Sequence, residues 1–223
     1  MNELSILWDG GHLIAVDKPP GLSTQAPPGG ESLESRLKAQ LAERGEYFAI
    51  IHRLDRPVGG VVLVALRKKE ARLLSDQFSS RKVIKQYAAI VQGKIKPSDS
   101  DIVWVDQIRK IADQPKAEIC SAGDGGAKEA ETRIDVVGYD AATDRTLIRM
   151  YPHTGRMHQL RIQAAHRGHP IVGDELYGGA KPGDGSESDA LLLRAESIVF
   201  HDPKNGKLRT VRGPALPSSE AFG

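Results

Sequence analysis

The run Ile50-Ile-His-Arg-Leu-Asp-Arg-Pro-Val-Gly-Gly60 leads directly into Val61-Val-Leu-Val-Ala-Leu66. The second half is rich in β-branched residues and reads as a buried strand. Pro57 and Gly59-Gly60 predict a tight turn immediately before it. Asp55 stands in that turn between Arg53 and Arg56. The residues alone leave two readings open. Asp55 can pair with a neighbouring arginine on a surface loop, or it can be a carboxylate kept ionised by nearby cations and presented on a rigid turn.

Working outward, strands outnumber helices. Residues 12–16 form a short apolar strand stopped by Pro19-Pro20-Gly21. Residues 31–45 have helical spacing, with Leu33, Leu37 and Leu41 on one face and Gly45 beyond the end. A second helix is predicted over 68–80, with Ala71, Leu74 and Phe78 inward, and a third over 156–168, closed by Gly168. Further strands are expected at about 84–92, 102–109, 131–138, 146–151, 191–200 and 207–212. Residues 121–130 and 178–189 read as loops, and 214–223 as a loose tail. Strands in runs, without regular strand–helix alternation, predict an α+β fold: a mostly antiparallel mixed sheet flanked by helices and loops. The sequence has no G-x-G-x-x-G after a strand, no P-loop and no G-x-S-x-G elbow.

The chain has 223 residues, which suits a single domain over 1–223. Its 39% hydrophobic and 27% charged residues exclude a disordered or fibrous protein. No apolar run approaches the roughly 20 residues of a membrane-spanning helix. One cysteine, Cys120, excludes an intramolecular disulfide and any zinc site built on cysteine pairs. No secretory signal is visible at the N-terminus, so a cytoplasmic location is expected.

Charge is concentrated rather than excessive. Residues 67–85 carry seven basic side chains against Glu70 and Asp76. Residues 145–169 carry five arginines and four histidines, His153, His158, His166 and His169, against Asp144. These stretches read either as solvated faces or as two ends of a phosphate-tracking groove. The histidine spacing lacks the H-E-x-x-H pattern, and no metal site is expected.

The run His52-Arg53-Leu54-Asp55-Arg56 resembles the H-R-L-D signature of the RluA-type pseudouridine synthases. Val16-Asp-Lys-Pro-Pro-Gly-Leu22 resembles the early K-P-x-G-L segment of that family, and Lys85-Gln-Tyr87-Ala-Ala-Ile-Val-Gln-Gly93 its K-x-Y-x-A-x-V-x-G strand. Thr154-Gly-Arg-Met-His-Gln-Leu-Arg161, then Gly168-His-Pro-Ile-Val-Gly-Asp174 and Leu176-Tyr-Gly178, resembles its T-G-R-x-H-Q-I-R … G-x-P-I-x-G-D … Y-G block. Leu191-Leu-Leu-Arg-Ala195 resembles its late L-x-L-H-A strand. The motifs fall in family order over about residues 6–200. Val58-Gly59, Gln163 and Arg194 depart from it, standing where Thr-Ser and two histidines are usual.

The resemblance implies a pseudouridine synthase fold with a central active-site cleft, and isomerisation of uridine in structured RNA, ribosomal or transfer. Asp55 would be the essential carboxylate, Arg161 its partner, Tyr87 the residue packing on the target base, and Arg53 the side chain entering the vacated stack. No cofactor or metal is implied. Because the sequence starts on the catalytic pattern, the small RNA-binding domain that many relatives carry is not expected. With no hydrophobic excess or heptad run, a monomer acting on an RNA stem-loop is expected. A non-catalytic RNA-binding module and a two-carboxylate glycosidase are the competing readings. The first is disfavoured by the joint presence of Asp55, Tyr87 and Arg161, the second by the lack of a second suitable acid.

Overall fold

The computed structural model describes residues 3–27, 29–45, 47–95, 102–181, 190–217 and 219–222. The chain runs β1 (Ile6–Asp9), β2 (Leu13–Lys18), α1 (Leu33–Gln40), β3 (Ala49–Ile50), β4 (Gly59–Ala65), α2 (Lys68–Ser79) and β5 (Ile84–Gln92). It continues through β6 (Ile102–Lys110), β7 (Ala117–Cys120), β8 (Lys128–Asp140), β9 (Arg145–Pro152), α3 (Gln159–His166), β10 (Leu193–His201) and β11 (Leu208–Arg212). The fold is α+β, strand-rich with three α-helices among the described residues. Two compact units are formed, one from residues 1–85 and 195–214, the other from 86–194 and 215–223.

In the first unit β4 pairs antiparallel with β2, and β2 with β1. β3 pairs antiparallel with β4 through Ala49 and Ile50, and β10 forms a hairpin with β11. All seven residues of β4 are buried, as its unbroken apolar run requires. Leu13, Ala15, Leu63, Leu74 and Phe200 join one core cluster, with Phe78 packed partly exposed against it. α1 starts at a reciprocal cap: Ser32 accepts from the Ser35 N–H, and the Ser35 hydroxyl accepts from the Ser32 N–H. α2 is held to β10 by its Gln77, which donates to the His201 carbonyl at 2.7 Å and accepts from the His201 N–H at 2.9 Å.

In the second unit the order is β5-β9-β8-β6-β7, antiparallel throughout. α3 packs through Ile162 against Ile108, Ala117 and Ala130. It begins at Gln159, three residues later than expected from the sequence, because His158 adopts a left-handed conformation (φ 54°). β8 begins at Lys128, so the end of the expected 121–130 loop is strand. Three short strands, β1, β3 and β7, lie below the length at which periodicity is readable. Residues 214–223, expected as a tail, carry two apolar anchors: Leu216 is buried in a cluster with Ala88 and Ile90, and Phe222 packs against it.

Candidate active site

The turn containing Asp55 is closed by the Val58 N–H donating to the Asp55 carbonyl at 3.0 Å. The loop is fastened to the 18–24 segment at three points. Lys18, with no exposed surface, donates from Nζ to the carbonyls of Pro19 (3.0 Å), Leu22 (2.7 Å) and Arg56 (3.2 Å). Thr24 Oγ1 donates to the Leu54 carbonyl at 2.8 Å and lies 3.2 Å from the Leu54 N–H, from which it accepts. The Gly21 N–H donates to the Arg56 carbonyl at 2.9 Å, and Arg56 Nε returns a bond to the Gly21 carbonyl at 3.0 Å. A backbone satisfied in this way cannot drift, so half-buried Asp55 is held in place.

Arg56 is therefore spent on Gly21, and Arg53 is exposed. On the other side of the loop, His52 Nε2 accepts from the Leu63 N–H at 3.2 Å, and its ring stacks on Phe78 with centroids 5.0 Å apart. Burial, assisted by the charge of Lys85, lowers the His52 pKa to about 3, so the ring is neutral. Its role is to tie the loop to β4. Burial also brings Lys85 down to about 8, and this residue is half-buried, unlike exposed Lys82.

Tyr87 and Arg161 belong to the second unit. Tyr87 lies on β5 opposite Met150 of β9 and is 9% exposed. Arg161 is buried on α3 and grips the buried carboxylate of Asp174 with both arms: Nε to Oδ2 at 2.7 Å and Nη2 to Oδ1 at 2.6 Å. Its guanidinium carbon lies 5.2 Å from the centroid of the Tyr177 ring. The Tyr177 hydroxyl is fixed in turn, accepting from the Ala117 N–H at 3.0 Å and lying 2.8 Å from His158 Nδ1.

The entry into α3 is built by one amide. Gln159 Oε1 accepts from the Arg156 N–H (2.9 Å) and the Thr154 hydroxyl (2.7 Å). Its Nε2 donates to the Glu131 carbonyl (3.0 Å) and Thr132 Oγ1 (2.9 Å). Gln163 continues the network, accepting from Thr132 Oγ1 at 2.7 Å and donating to Asp106 at 2.8 Å. Arg167 also pairs with Asp106, at 2.8 Å. Two of the five arginines in 145–169, Arg161 and Arg167, are thus committed to internal carboxylates.

Sequence reasoning did not single out Lys18, Thr24, Gln159 or Asp174 as site residues. The signal for Lys18 was present: a lysine ending a strand that begins apolar and runs through Asp17 into Pro-Pro-Gly. Partners contributed from 30 or more residues away, as for Thr24 and Leu54, leave no local trace.

Comparison with known proteins places the chain in a family. The family described as RNA pseudouridylate synthase matches residues 12–166. The chain is similar to the dual-specificity RNA pseudouridine synthase RluA of Escherichia coli, 34% identical over 212 residues, covering 95% of this chain and 93% of that one. The RluA of Vibrio vulnificus is 32% identical over 216 residues, covering 94% and 82%. Among solved structures, human RNA pseudouridylate synthase domain containing 1 superposes with a TM-score of 0.75 at 28% identity, covering 98% of this chain and 87% of its own.

Proposed function

Because the chain belongs to the RNA pseudouridylate synthase family and isomerises uridine to pseudouridine in RNA, we propose that Asp55 is the carboxylate on which the reaction depends. The isomerisation breaks the bond from ribose C1′ to uracil N1 and forms one from C1′ to C5. The proton lost from C5 is balanced by one gained at N1. The change is redox-neutral and needs a group held against the nucleoside with little freedom. The observation that carries the assignment is the tethering of the Asp55 turn by Lys18, Thr24 and Gly21. Pre-organisation of that kind lowers the cost of reaching the reactive geometry.

The target base, extruded from the RNA stack, packs on Tyr87. Arg161, aimed by Asp174 and Tyr177, pairs with the catalytic carboxylate as a guanidinium can. Arg53, exposed on the same loop as Asp55, fills the space the base vacates. The RNA is ribosomal or transfer RNA, presented as a stem-loop to a cytoplasmic monomer. The dual specificity named for the Escherichia coli relative supports more than one RNA target.

The test is pseudouridine mapping in ribosomal and transfer RNA treated with the wild-type protein and with Asp55→Asn. The wild type is expected to convert discrete uridines, and the variant to lose at least about three orders of magnitude in rate. Isomerisation by Asp55→Asn at the wild-type rate would falsify the assignment.

A further inference from the structure

Behind α1 the first unit holds a cavity of about 390 Å3, lined among others by Lys38, Arg44, Tyr47, Phe48 and Leu66. It falls in the range of small-molecule sites, roughly 300–1,000 Å3. Its wall combines two aromatic rings with cations, and Lys68 Nζ stands 6.0 Å from the centre of the Tyr47 ring. Arg44 is engaged by Asp9 at 2.7 Å, whereas Lys38 is exposed at the end of α1. None of these residues has a part in the proposed chemistry of Asp55.

The geometry points to a second nucleotide subsite: one base of the RNA substrate, away from the target uridine, stacks on Tyr47 and Phe48 while Lys38 and Lys68 meet the adjoining phosphates. The inference rests on RNA being the substrate. Aromatic faces with flanking cations are the chemistry that holds single-stranded RNA without reading its sequence. Position agrees as well. Phe48 precedes Asp55 by seven residues, so the two α-carbons are at most about 25 Å apart. β3 and the His52 anchor connect them through backbone that is hydrogen-bonded to β4.

The test is equilibrium binding of a 5′-labelled ten-nucleotide oligouridylate across a salt series. Tyr47→Leu, which keeps apolar bulk against the core, is expected to weaken binding about 5- to 150-fold, and Tyr47→Phe to retain it. The double variant Lys38→Glu and Lys68→Glu is expected to flatten the slope of log affinity against log salt by about 1.4. Lys207→Glu, a charge reversal on the exposed β10–β11 hairpin, serves as the control and should leave the slope in place. Oligouridylate carrying 4-thiouridine should photocrosslink to the peptide containing Tyr47 and Phe48. Unchanged affinity in Tyr47→Leu, an unchanged slope in the double variant, or crosslinks confined to other peptides would each overturn the subsite. Pseudouridine formation by the wild type is scored separately, so loss of the subsite and loss of the enzymatic reading give different results.

Discussion

The guanidinium of Arg161 and the carboxylate of Asp174 form a buried two-armed pair, 2.7 and 2.6 Å, across thirteen residues of sequence. The pair fixes the plane of Arg161, and the Tyr177 ring lies 5.2 Å from its guanidinium carbon. Asp174→Ala leaves a cation buried without its partner and is expected to cost about 3–5 kcal/mol of stability in urea unfolding. Asp174→Asn keeps one acceptor and should cost less. Equal midpoints for Asp174→Ala and the wild type would contradict the pairing.

Lys18 reaches the Asp55 loop of its own unit through the backbone carbonyl of Arg56. Replacing it with methionine keeps the volume and strips the carbonyls of Pro19 and Leu22 of their donor. About 2–4 kcal/mol of stability should be lost. Single-turnover isomerisation should slow by about 10- to 100-fold as the Asp55 turn loosens. Wild-type turnover in a destabilised Lys18→Met protein would show that the tether serves folding alone.

Gly60 opens β4 at φ +124°, and a Cβ built there would lie 2.1 Å from the Ala195 carbonyl oxygen. Both the conformation and the contact exclude a side chain. Gly60→Ala is expected to lose roughly 3 kcal/mol or more, or to be recovered insoluble. A melting temperature within a degree of wild type would refute the close approach.

His52 makes stability depend on acid. Its folded pKa, about 3, lies below the ordinary value of about 6.5 because the ring is buried and Lys85 is near. Below pH 6.5 the unfolded chain therefore binds a proton that the folded chain refuses. Stability should fall as pH drops from 6.5 towards 3, by up to about 1.4 kcal/mol per pH unit. Urea midpoints at pH 7, 6 and 5 measure this. His52→Gln, which can still accept from the Leu63 N–H, should flatten the decline.

Most of the fold was legible along the chain. The Leu33–Leu37–Leu41 stripe and the β-branched run of β4 are local signals, and the structure bears them out. Antiparallel pairing followed from strands that succeed one another without intervening helices, as β8 and β9 do. The start of α3 was read three residues early, at Arg156 instead of Gln159. The Gln159 side chain competes for the first backbone donors there, and no spacing rule sees that bond.

The order of motifs along this chain, and with it the family and the reaction, was decided by the sequence alone, because residue type and spacing survive without knowledge of distance. Which atoms those residues meet was decided only in the folded state. Arg56 reaches Gly21, Lys18 fastens the loop 38 residues ahead of it, and Arg161 is locked by Asp174. A buried hydrogen bond is worth making only where folding has removed water from both partners, and that removal is a property of the tertiary structure.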